Sequence, residues 1–139
     1  MKRLNFLLFI VFLGLNYESL AQVRFMNGSW QEALNEAQKQ NKPIMVDFYT
    51  TWCGPCKLMT KTTFANTQVG DFADAYFIAL KIDCEKGEGI QLAQKYEVFN
   101  YPTIAFIDKN GNLLGKEVGY KNVDDFLELM QKYRKKVTK

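Results

Sequence analysis

The feature that most constrains this chain is four residues long: Cys53-Gly54-Pro55-Cys56, set between a run that reads as a buried strand and a run that reads as a helix. Ile44-Met45-Val46-Asp47-Phe48-Tyr49 is apolar apart from one acid, the pattern of a central strand covered on both faces. From Cys56 to Phe64, the residues Leu58, Met59 and Phe64 follow a helical pattern. A cysteine at such a junction lies near backbone N–H groups that have no carbonyl partner and near the positive end of the helix dipole, which favours thiolate over thiol. The second cysteine, one turn in, is close enough to attack a mixed disulfide formed by the first. Cys53 is therefore assigned as nucleophile, with a thiolate pKa expected at roughly 7, and Cys56 as resolving thiol. The competing reading is half of a zinc site, but such sites usually need four ligands, and beyond this pair the chain offers only Cys84 and no histidine.

The absence of histidine is itself informative. It removes Ser-His and Cys-His hydrolases, HExxH metalloenzymes and CxxCH haem attachment, and leaves cysteine, carboxylate, lysine or tyrosine to carry any chemistry. Residues 1 to 21 open with Met1-Lys2-Arg3, continue through an apolar stretch from Leu4 to Leu15 and reach small residues at Ser19-Leu20-Ala21. That is the layout of a cleavable secretory signal, and cleavage is expected after Ala21. Its apolar core is about 12 residues, short of the ~20 that a spanning helix needs; an uncleaved anchoring helix is the alternative. In an exported chain, three cysteines mean that at least one thiol is not in an internal pair.

Residues 22 to 139 have the length of one domain and enough apolar and aromatic side chains to bury a core. The formal charge of +3 falls by one when Lys2, Arg3 and Glu18 leave together, too small a balance for nucleic-acid binding. The basic run from Lys132 to Lys139 reads as a solvated helix end whose cations complement the helix dipole.

Ser29 and Glu32 fit a capping box ahead of Trp30, Ala33, Leu34 and Ala37, so a helix is expected over 30 to 40, stopped by Lys42-Pro43. Asn66 caps a second short helix carrying Val69, Phe72 and Ala73, and Phe77 to Asp83 is strand-like. A helix near 88 to 96 carries Ile90, Leu92, Ala93 and Tyr96, and a strand runs from Thr103 to Ile107. Asp108-Lys109-Asn110-Gly111 is a hairpin signal leading into Leu113 to Val118. Asn122 caps a last helix with Val123, Phe126, Leu127, Met130 and Tyr133 on one face.

These segments carry a family resemblance. Val46 to Lys57, with Trp52-Cys53-Gly54-Pro55-Cys56 at its centre, resembles the active-site segment of thioredoxins, and Asn100-Tyr101-Pro102-Thr103 resembles their cis-proline loop. Lys109-Asn110-Gly111 and Val118-Gly119 resemble the hairpin and the substrate-groove glycine that follow. Lys42 to Asp47 together with Thr63 to Val69 is most similar to the periplasmic C-terminal domain of DsbD-type thiol:disulfide interchange proteins and its stand-alone relatives. The resemblance implies an α/β thioredoxin fold, a central mixed sheet with helices on both faces. It gives Asp47 the part of a buried carboxylate that accepts the proton of Cys56. Trp52, Gly54, Pro55, Tyr101, Pro102, Thr103 and Gly119 become the surface that receives a substrate strand, although core packing would explain Trp52 equally well. The lysine that accompanies the acid in many thioredoxins falls near Ala79, leaving Asp47 without a charged neighbour, and Cys84 reads as a semi-buried bystander.

The Gly54-Pro55 pair resembles that of reducing thioredoxins, so the expected activity is reduction of protein disulfides without a bound cofactor or metal. Potentials at the reducing and oxidising poles, roughly −270 and −120 mV, differ by about 7 kcal/mol for two electrons. A compartment beyond the membrane is oxidising. A periplasmic reductase therefore implies disulfide-containing protein substrates and a membrane thiol as electron donor; a monomer that binds no nucleic acid is expected. The alternatives are a disulfide oxidase or isomerase, a reductase of cytochrome c maturation, and a redox-silent module that holds extended clients.

Overall fold

The computed structural model describes residues 21–137. Apart from Ala21, the expected signal lies outside the described residues. Helix α1 (Trp30–Gln40) is followed by strand β1 (Ile44–Tyr49), helices α2 (Gly54–Lys61) and α3 (Thr67–Tyr76), strand β2 (Ile78–Asp83), helix α4 (Glu88–Lys95), strands β3 (Thr103–Ile107) and β4 (Leu113–Val118), and helix α5 (Val123–Val137). The order is the one expected from the sequence, and three of the helices carry their own start signal. Ser29 and Glu32 form both halves of the capping box, the Asn66 side chain accepts from the N–H groups of Gln68 and Val69, and that of Asn122 accepts from Asp125.

The sheet order is β2-β1-β3-β4, with β1 parallel to β2 and antiparallel to β3, and β3 antiparallel to β4. This is the mixed sheet with helices on both faces. Side chains alternate across a strand, so β1 feeds two cores. Ile44, Val46 and Phe48 pack with Trp30, Ala33 and Ala37 of α1 and with Leu92 and Ala93 of α4. Met45 packs with Met59 of α2, Val69 and Ala73 of α3, and Phe126 and Met130 of α5. By the same alternation Asp47 points with Met45, toward the face that α2 covers.

Parallel pairing is in register from Ile44 opposite Ile78 to Tyr49 opposite Asp83. It sets Asp47 opposite Lys81, whereas Ala79 lies opposite Met45. Residues 22 to 26 run beside this edge: the Val23 N–H donates to the Phe64 carbonyl and that of Met26 to the Ala79 carbonyl, both at 2.8 Å.

The loop between β2 and α4 is closed by backbone contact. The first turn of α4 seats so tightly on the end of β2 that a Cβ at Gly89 would lie 1.9 Å from the Asp83 carbonyl oxygen. Glu88 reaches back to accept from the Trp30 N–H at 2.7 Å, joining the starts of α4 and α1. Because the obstructing atom is backbone, it cannot swing aside. Gly89→Ala is expected to destabilise the fold by about 1–3 kcal/mol, measured as a lower urea midpoint with an unchanged denaturant slope.

Candidate active site

Cys53 is the N-cap of α2, and its Sγ accepts from the Cys56 N–H at 3.2 Å. Pro55 stands in the first turn, where a missing N–H costs nothing. Cys53 and Cys56 are joined in a disulfide, and both are buried. Thus the sulfur that the sequence assigns as nucleophile is held by one of the helix's own unpaired donors. A Cβ on Gly54 would meet nothing within 4 Å, so no steric demand of the fold requires glycine there.

Trp52 is 67% exposed, which rules out core packing. Its ring stands edge-on to Tyr101, centroids 6.0 Å apart, and its indole N–H donates to the Glu85 carboxylate. The Tyr101–Pro102 peptide bond is cis, as the resemblance implied. The loop is fastened at both ends: Thr103 donates its hydroxyl proton to the Asn100 carbonyl at 2.6 Å, and the Gly119 N–H donates to the Pro102 carbonyl at 2.8 Å. Gly119 has φ +93° with open space where a side chain would go, so its backbone conformation, and no crowding, is what calls for glycine. Near this loop Phe99 and Val118 are exposed large apolar side chains.

Asp47 is 2% exposed. The sequence reading that left it without a charged neighbour is corrected: Lys81 Nζ lies 3.2 Å from Asp47 Oδ2, with the lysine side chain 25% exposed. The error was one of register, two residues along β2. Burial pushes the Asp47 carboxyl up to about 6, against the pull of the Lys81 charge. Neither carboxylate oxygen, nor the buried Thr50 hydroxyl three residues on, has an aligned hydrogen-bond partner among the described residues. Such groups are rare in folded proteins and tend to mark chemistry.

Cys84 is free and buried. Burial first, then the carboxylates of Asp83, Asp47 and Glu85, push its thiol up to about 12. This favours the bystander reading. Among the described residues no group of three or more metal-ligating side chains comes together. Sequence reasoning gave no part to Lys81, Glu85 or Thr60, whose significance depends on pairing that no local pattern encodes.

A family model described as a thioredoxin-like domain matches residues 30–134. The thiol:disulfide interchange protein DsbD of Yersinia enterocolitica is 34% identical over 98 residues, covering 68% of this chain and 17% of that protein. The chain thus spans about one sixth of the length of the DsbD relatives it matches. A candidate disulphide-isomerase from Bacteroides thetaiotaomicron has a solution structure with a TM-score of 0.73 and 38% identity, covering 81% of this chain and 93% of that one. The reduced C-terminal domain of Neisseria meningitidis DsbD gives a TM-score of 0.62 and 26% identity over 74% of this chain and 92% of that one.

Two outcomes are expected. Asp47 in the native state keeps its proton up to about pH 6, whereas an unfolded aspartate loses it near the ordinary value of 3.8. The carboxylate therefore weighs against the fold increasingly as pH rises through that window. The stability of Asp47→Asn relative to wild type should accordingly grow by about 3 kcal/mol between pH 3.5 and pH 7, read by urea unfolding at each pH. In the reduced native protein at pH 8, iodoacetamide should label Cys53 within minutes and Cys84 only on unfolding; labelling of both at one rate would mean that Cys84 is accessible.

Proposed function

The chain belongs to the thioredoxin-like family of thiol:disulfide oxidoreductases, and from that premise we propose that it is an exported reductase of protein disulfides. The observation that carries the reading is the Cys53–Cys56 disulfide capping the N-terminus of α2, with an exposed Trp52 at its side. In the reduced protein, Cys53 thiolate attacks one sulfur of the substrate disulfide. That S–S bond breaks, and the departing sulfur takes up a proton. Asp47 then accepts the proton of Cys56, whose thiolate attacks Cys53 Sγ. The internal disulfide closes, and the second substrate sulfur leaves and is protonated. Two electrons and two protons have passed to the substrate.

The Asp47 carboxyl, near 6, suits this part: it is largely ionised at neutral pH yet basic enough to take a thiol proton transiently. Trp52, Gly54 and Pro55 on one side and Tyr101, Pro102, Thr103 and Gly119 on the other form the surface proposed to receive an extended substrate segment. The charged N-terminus, apolar run and small residues of 1–21 support export, with the domain beginning at Gln22. In an oxidising compartment a membrane-bound dithiol would return the two electrons.

A second reading, disulfide isomerase, is favoured by the likeness to the Bacteroides thetaiotaomicron protein. The two separate on potential and on substrate. A reductase is expected to equilibrate near −270 mV, toward the thioredoxin pole and away from the DsbA value of about −120 mV, and to precipitate insulin by reducing its interchain disulfides in the presence of dithiothreitol. Cys53→Ser should abolish that turnover, Cys56→Ser should trap the mixed disulfide, and Asp47→Asn should slow its release by about 100-fold at pH 7. Refolding of a scrambled substrate without net reduction, at a potential well above −270 mV, would transfer the assignment to an isomerase.

A further inference from the structure

The ammonium of Lys81 sits in a built enclosure. Its Nζ donates to Thr60 Oγ1 at 2.7 Å, and that hydroxyl in turn donates to the Cys56 carbonyl at 3.2 Å. The same nitrogen stands 4.9 Å from the centroid of the Tyr49 ring, 5.5 Å from that of Phe25 and 5.6 Å from that of Phe64. Phe25 is itself fixed edge-on to Phe64, centroids 5.1 Å apart. The walls come from four places: β1, α2, the turn after α2, and the segment 22–26 that precedes α1. On its remaining sides the ammonium faces Asp47, 3.2 Å away, and solvent, to which a quarter of the side chain is exposed.

We infer that Thr60 and Phe25 are positioning residues that hold the Lys81 ammonium against Asp47, and so tune the carboxyl from outside the thioredoxin-like active-site segment. A lysine side chain is long, flexible and strongly hydrated, and with a quarter of it exposed it can gain water by swinging outward. Three ring faces and one hydroxyl oppose that movement, since a cation over an aromatic face is attracted to it, more strongly where water is excluded. When a wall is removed, the ammonium moves out and the carboxylate loses part of its stabilisation. The hydroxyl link to the Cys56 carbonyl also ties this charge pair to the turn of α2 that bears the resolving thiol.

The titratable groups that interact with Asp47 are Lys81 from β2, Tyr49 from its own strand and Cys84 from the loop after β2. Its partner on β3 is Ile104, which carries no charge. In the disulfide form neither Cys53 nor Cys56 titrates.

The consequence for catalysis rests on the proposed base function of Asp47; the placement of the charge does not. The test is the carboxyl ¹³C titration of Asp47 in the oxidised protein. Thr60→Val and Phe25→Leu are each expected to raise its midpoint by about 0.5 pH unit and the double variant by about 1, part of the 1–3 units that an adjacent cation is worth. Thr60→Ser and Phe25→Tyr should restore it. Thr60 is an exposed position on α2 and Phe25 a half-buried one, and a urea midpoint recorded alongside each titration ties the shift to a folded chain. An unmoved or lowered midpoint, a shift at only one of the two sites, or failure of the conservative variants to restore it would overturn the inference. The pH profile of mixed-disulfide release by Cys56 is the second arm. If the carboxyl midpoint moves and this profile does not, the enclosure stands and the base function of Asp47 fails.

Discussion

Everything at the active end of this molecule depends on one register: β1 lying parallel to β2 with Asp47 opposite Lys81. A carboxylate alone in a dry sheet interior would give up its charge or unfold the sheet. A carboxylate with a cation beside it and no aligned donors of its own does neither. It remains ionisable close to neutral pH. The same register gives the sheet one face for α1 and α4 and the other for α2, α3 and α5. One strand pairing therefore sets both the division of the core and the chemistry of the acid behind the disulfide.

Stability and reactivity pull against each other here, and the structure keeps the conflict local. Asp47 and Thr50 are buried without an aligned hydrogen-bond partner among the described residues, while the strand that carries Asp47 supplies some of the most completely covered apolar side chains, Ile44, Met45, Val46 and Phe48. A close-packed surround resists the rearrangement that would otherwise bring the orphaned groups to water. Cys84 shows the opposite treatment of a thiol. Burial among carboxylates suppresses its ionisation, whereas Cys53 caps a helix, its sulfur accepting an N–H and bonded to Cys56.

The elements were legible in the sequence because helix caps, turn residues and apolar periodicity are local signals. Ser29, Asn66 and Asn122 each cap the helix that their position announced. The two cysteines and the proline loop were legible for the same reason, as short motifs. The partner of Asp47 was not. Lys81 and Ala79 lie on the same face of β2, so alternation cannot choose between them, and only the hydrogen-bonded register does. Trp52 was ambiguous for a related reason: a large aromatic beside a motif serves a core or a surface equally well until the chain around it is placed. Glu85 and Tyr101, which hold its ring, come from opposite sides of α4, nowhere near it in sequence.

What remains is why a motif so brief sets the reactivity of the whole domain. Gly54 has open space around it, so of the two residues between the cysteines at least the glycine is not dictated by fit. Their influence must run through the helix end: which N–H groups stay unpaired, how far the dipole is screened, and how readily Cys56 gives up its proton. The first of these is fixed by Cys53 as N-cap and Pro55 in the first turn; the last is the part proposed for the Asp47–Lys81 pair. Thr60, one turn beyond Cys56 on the same helix, touches both the Cys56 carbonyl and the Lys81 ammonium. The helix that presents the sulfurs is thereby joined by hydrogen bonds to the buried charge pair.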